Sequence, residues 1–216
     1  MEENKLPVYS KGEAWFNTLS HAAGAVLAGA VLAACLAKAE GAAQVVGALI
    51  YGISMLTVYA VSTIYHALPP GKTKHIFRVL DHCVIYLLIA GTYTPILLSG
   101  FLPVYPGIGW GLLAMEWGLT AMAVTLLAID LKKYNALSMV CYIFMGWGII
   151  FFVKQAVQVL TRPGFLWILA GGLAYTFGAV LYGIGSRRKW FHSVFHIFVV
   201  LGSALQAVAI YYYVLL

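Results

Sequence analysis

Charge is what this sequence is short of. Only 9% of its 216 residues are Asp, Glu, Lys or Arg, against about 25% in a typical soluble domain, which excludes a water-facing globule. No polar stretch between its apolar runs is long enough to form a soluble domain. Cysteine is scarce as well. Cys35, Cys83 and Cys141 are an odd number and each lies in an apolar run, so a disulfide framework is excluded and buried free thiols are expected. The strict apolar–polar alternation of a membrane barrel strand is missing. The opening, MEENKLPVYSKGEAWFN, lacks a basic segment followed by a short apolar one, so no cleaved leader is expected and the first span should stay in the membrane.

What is present is apolar length. Hydrophobic residues make up 62% of the chain and mean hydropathy is +0.90. Runs of roughly twenty apolar residues recur, the length that crosses a hydrocarbon core of about 30 Å. Lipid forces each span to satisfy its own backbone hydrogen bonds, so the expected fold is an all-α integral membrane protein. The apolar windows fall near 17–37, 44–67, 79–100, 107–129, 135–153, 164–185 and 190–214, predicting a seven-transmembrane helix bundle in one domain covering 1–216. Turn signals separate them: PPGK, FLPVYPG, LKKYN and TRPG.

Seven spans place the loops alternately on two faces. One face collects Lys5, Lys11, Lys72, Lys74, Arg78, Lys132, Lys133, Arg187, Arg188 and Lys189; the other has Lys38, Lys154 and Arg162. This asymmetry predicts a cytoplasmic N-terminus and a C-terminus outside. It also accounts for the net charge of +6 as an orientation signal scattered over short loops, and no nucleic-acid partner is expected.

Against this background a few polar residues stand out. STIYH closes the second span, with Ser62 one turn deeper than His66 on the same helix face. Asp81 opens the third span from the same side, and WFHSVFH opens the seventh, stacking His192 and His196 four residues apart. Three separate helices thus bring a serine, three histidines and an aspartate to similar cytoplasmic depth. Singly, each has a plain reading: a hydroxyl bonded back to its own helix, an interfacial histidine, an aspartate at a helix start. Together they also suit a zinc ion, with the i, i+4 histidine pair and one further imidazole leaving a fourth position open. Asp81 and Ser62 would then serve water and substrate.

These residues carry a resemblance. FNTLSHAAG, STIYH, LDHCVIYLLIAGTYTP and WFHSVFHIFVVLGS, in this order, resemble the bacterial haemolysin III proteins, which group with the progestin and adipoQ receptor family. The likeness covers essentially the whole chain. It implies a seven-helix bundle with Zn2+ held near the cytoplasmic leaflet by His66, His192 and His196, and with Asp81 and Ser62 as the catalytic pair beside it. The wider superfamily includes alkaline ceramidases, so hydrolysis of a membrane lipid amide or ester is the implied activity and membrane lipids the implied substrate or ligand. A non-enzymatic membrane-state sensor and a pore-forming cytolysin are the competing expectations. The implied location is the plasma membrane, multi-pass.

Other residues join the cluster less readily. His21 is expected to hydrogen-bond between helices, His82 to point about 100° away from Asp81, and His75 to face water. Cys83 is read as a buried thiol rather than a soft ligand. Glu116 falls near the middle of the fourth span, where an ionised carboxylate costs at least about 2.5 kcal/mol, so it is expected to be protonated or bonded to another helix. GTYTP, residues 91–95, predicts a proline kink in the third span.

Overall fold

The computed structural model describes residues 6–185 and 188–215. Lys5 and Arg187, two of the cations used to orient the chain, lie outside them. Among the described residues the secondary structure is helical throughout. Seven helices carry the fold: α1 (Lys11–Lys38), α2 (Gly41–Ala67), α3 (Lys72–Pro95), α4 (Pro106–Ile129), α5 (Leu131–Trp147), α6 (Val153–Gly185) and α7 (Phe191–Ala209). Among the described residues, six segments are long and apolar enough to cross a membrane. One of them, Leu131–Gly183, runs 53 residues through α5, a 3-10 stretch at Gly148–Phe152 and α6.

Local chemistry sets the ends. Ser10 and Glu13 form a reciprocal capping box, the Ser10 hydroxyl accepting from the Glu13 amide and the Glu13 carboxylate accepting from the Ser10 amide at 2.9 Å. The Pro69–Pro70–Gly71 turn ends α2, and Lys74 then reaches back to donate to the Leu68 carbonyl at 2.7 Å. The basic KTKH segment is helical, and α3 begins at Lys72, earlier than the sequence window. LKKYN is likewise helix, not turn: Asp130 alone breaks the chain and caps α5 by accepting from the Lys133 amide at 2.9 Å. Pro95 sits inside α3 as expected, and the helix responds by widening to i→i+5 bonding over Ile96–Phe101. TRPG coincides with a true interruption, since Thr161 has φ 62° and ψ 165°, backbone that β-branched residues rarely adopt.

The packing is that of a protein in lipid. Large apolar side chains face outward, among them Val26, Val140 and Leu173, while Asn17, Ser62, His66, Glu116 and His196 are buried. Helices meet through small residues. At Gly24 on α1 a Cβ would lie 2.5 Å from the Tyr59 ring of α2, so only glycine allows this approach. Helix α1 lies against α2 and α7, and it runs parallel to α7. Glu13 of α1 accepts from the Trp190 amide just before α7 at 2.7 Å, and Lys38 at the far end of α1 donates to Tyr211 near the end of the last helix at 2.9 Å. Cys35 and Cys83 are buried free thiols; Cys141 is only half-buried, where full burial was expected.

Candidate metal centre

At the end of the bundle where α1 and α7 begin and α2 ends, three imidazoles converge. His192 and His196 share one face of α7, and His66 is presented by the last turn of α2. His192 Nε2 lies 3.3 Å from His66 Nε2 and 3.0 Å from His196 Nε2. One ligand atom from each falls within 4.8 Å of the other two, so the group could hold a metal ion. The spacing fits that use. A tetrahedral ion with metal–nitrogen bonds of about 2.0–2.1 Å sets its nitrogens about 3.3–3.4 Å apart, within a few tenths of an ångström of both Nε2 separations. Three unprotonated nitrogens aimed at one point repel one another unless a proton or cation lies between them.

The surroundings orient the His196 ring, whereas His66 Nδ1 is buried with no hydrogen-bond partner among the described residues. His196 Nδ1 lies 3.3 Å from Ser20 Oγ, and the same ring hydrogen-bonds the Asn17 backbone, both from α1. This is the support that fixes which nitrogen of a ligating imidazole faces a metal. Asn17 accepts from the Ser193 hydroxyl at 2.7 Å. Glu13 holds the Ser10 cap and the Trp190 amide at once, which locks the left-handed Trp190 that launches α7. Helix α1 therefore positions α7, and α7 positions two of the three imidazoles.

Asp81 is not among the three convergent ligands. It stands on α3 with its carboxylate accepting a hydrogen bond from Ser62, which is buried one turn below His66. The serine thus links the carboxylate to the helix that carries the third histidine. Opposite them, the Tyr9 ring caps the group, its centroid 5.6 Å from His66 and 5.2 Å from His192. Burial, followed by the nearby Tyr65, Tyr182 and Asp81, pushes the Tyr9 phenol far up, and Arg78 opposes this. Tyr9 therefore remains a neutral O–H group at physiological pH.

The remaining candidates separate cleanly. His75 is exposed. His82 turns away, Nδ1 2.8 Å from the Arg78 carbonyl and Nε2 3.2 Å from the Tyr182 hydroxyl. His21 is the correction: among the described residues neither ring nitrogen has a hydrogen-bond partner, and the ring instead stacks on His196, centroids 3.7 Å apart at 19°. It was expected to bridge helices by a polar contact and serves as a flat wall. Sequence reading passed over Tyr9, Glu13, Ser20 and Asn17. The last three had a signal, since Ser10–x–x–Glu13 is a capping box and residues 13, 17, 20 and 24 share one helix face. Tyr9 had none.

Comparison with known proteins identifies the family. A family profile described as Haemolysin-III related matches residues 9–207. The chain is 37% identical to Hemolysin-3 of Bacillus cereus over 202 residues, covering 92% of this chain and 90% of that protein. It is 34% identical to the Hemolysin-3 homolog of Bacillus subtilis over 200 residues, covering 91% and 92%. It is 27% identical to the human monocyte to macrophage differentiation factor over 172 residues, covering 77% and 69%. The matched stretch contains the serine, the aspartate and all three histidines, and the chain belongs to the haemolysin III family of multi-pass membrane proteins.

Proposed function

We propose that this protein is a zinc-dependent hydrolase acting on a membrane lipid amide or ester. The observation that carries this reading is the convergence of His66, His192 and His196, with Asp81 joined through its hydrogen bond from Ser62 to the helix that carries His66. Zinc held by three imidazoles supplies Lewis acidity for the substrate carbonyl and lowers the pKa of water towards neutrality. Asp81 takes a proton from the attacking water on its carboxylate and returns it to the leaving amine or alcohol. Ser62 holds that carboxylate in place by donating to it. Tyr9 shields the group from bulk water and offers its O–H to a substrate oxygen. The lipid enters sideways between helices, because the outer faces of the bundle are apolar.

The proposal includes a topology of seven spans with a cytoplasmic N-terminus in the plasma membrane. Two observations support it. At about 1.5 Å per residue the 53-residue segment is far longer than one crossing needs, and it is interrupted at Thr161. Helices α1 and α7 are parallel, so an odd number of crossings lies between them; α2, α3 and α4 make three, and a long segment that crosses twice brings the number to five. A reporter joined after Leu216 is then expected to be active only when exported, and one inserted near Lys132 only in the cytoplasm. The reverse pattern would move the histidine group to the outer leaflet.

The activity is tested on purified protein with a lipid extract. Release of fatty acid is expected, loss of it after chelation, and recovery on adding back zinc. Zinc-loaded protein that turns over no lipid amide or ester would overturn the hydrolase and leave a metal-stabilised sensor of membrane state. A pore-forming cytolysin ranks behind both, because away from the histidine end the buried polar residues are Glu116 and scattered Ser and Thr hydroxyls.

A further inference from the structure

Helix α4 carries a second polar site far from the histidines. Glu116, at the middle of a helix that spans Pro106–Ile129, is completely buried, and neither carboxyl oxygen has a hydrogen-bond partner among the described residues. It faces the place where the helical ladder fails. Trp147 leaves helical geometry with φ −101° and ψ 3°, and the chain continues as the 3-10 stretch Gly148–Phe152. A Cβ placed on Gly148 would lie 3.5 Å from Glu116 Oε1 and 3.6 Å from the Tyr93 hydroxyl, so the two oxygens border the same point above the glycine. Tyr93, from α3, accepts from the Ile149 amide at 3.0 Å and donates weakly to the Gly146 carbonyl at 3.4 Å. The broken ladder thus supplies backbone groups at the bilayer midplane beside an orphan carboxyl. Interrupted helices use such groups to bind small cations.

We propose that Glu116, Tyr93 and the Gly146–Gly148 break form a monovalent-cation site in mid-membrane, taking a proton or a sodium ion on the Glu116 carboxyl. Intramembrane carboxyls face a partner or an ion pathway, and among the described residues no cation pairs with Glu116. The titratable group facing Glu116 from α3 is the Tyr93 phenol; no charged group from α5 or the 3-10 stretch acts on it. When the carboxyl is ionised, the Tyr93 O–H can turn from its long bond with Gly146 towards Oε1, and the freed Gly146 carbonyl faces the same cation. Gly148 carries no side chain between the two oxygens, and the Met115 methyl group, 3.2 Å from where its Cβ would be, borders the same space. The site is independent of the hydrolase reading, which uses neither residue.

The test is covalent labelling with dicyclohexylcarbodiimide, which modifies protonated carboxyls in apolar surroundings, on full-length protein in detergent, mapped by peptide mass. Labelling of Glu116 is expected, absent in Glu116→Gln, and falling as pH rises. Protection by sodium chloride but not choline chloride assigns sodium as an occupant; a pH dependence that both salts leave unchanged assigns the proton alone. Tyr93→Phe should weaken the protection, or shift the pH dependence, by roughly threefold to tenfold for one lost hydrogen bond. Metal content and lipid turnover are measured on the same Glu116→Gln sample and should stay at wild-type values. Failure of Glu116 to label at any pH, or labelling indifferent to both pH and sodium, overturns the site.

Discussion

Replacing His192 and His196 together with alanine is expected to leave a folded bundle that carries no metal and turns over no lipid. Two of the three convergent nitrogens come from one face of α7, so the pair removes the site and not just its tuning. Loss of a group that merely orients a ligand costs roughly 10–100-fold in metal affinity; loss of two ligands exceeds that by a wide margin. His75→Ala and His82→Ala serve as controls. The first is exposed and the second is engaged with Arg78 and Tyr182, so both should retain full metal. The measurement is metal per chain after dialysis, alongside helix content. A double variant that keeps its metal would show that the ion is held elsewhere.

The second large effect is expected at Asp81. Asn at this position keeps the shape and can still accept from Ser62, but it cannot hold a proton taken from water. Turnover by the zinc-loaded variant should fall by roughly 10²–10⁴-fold, the usual range for a lost general base, while metal affinity falls no more than roughly 10–100-fold. Ser62→Ala should be milder, because one neutral hydrogen bond is worth about 0.5–1.5 kcal/mol. Occupancy, turnover and melting temperature are measured separately on each variant. Zinc-loaded Asp81→Asn with wild-type turnover would exclude Asp81 as the base. Melting temperature that falls in proportion to lost zinc, without any turnover in the wild type, would favour the sensor.

Much of this arrangement was legible in the sequence because lipid makes composition informative. Apolar runs marked the helices, and an i, i+4 histidine pair marked two imidazoles on one face. The common depth of Ser62 and His196 followed from counting residues from helix ends. What failed to read through was side-chain behaviour at the water boundary. KTKH looked like a loop, yet it forms the first turn of α3, with the long Lys74 side chain folded back onto the Leu68 carbonyl. LKKYN looked like a turn, yet a single capping aspartate does that work. His21 was given a polar partner because a buried histidine usually has one; in the bundle its apolar ring face is used against His196. Tyr9 was out of reach, since its place over the histidines depends on how the chain enters α1 through the Ser10–Glu13 box.

The central claim is a three-histidine metal centre with an open fourth position, and zinc X-ray absorption on the purified protein tests it most directly. The account predicts about one zinc per chain with three nitrogen neighbours at about 2.0–2.1 Å and one oxygen. A sulfur neighbour at about 2.3 Å, a fourth imidazole nitrogen from His21, or protein that binds no zinc at all would contradict it.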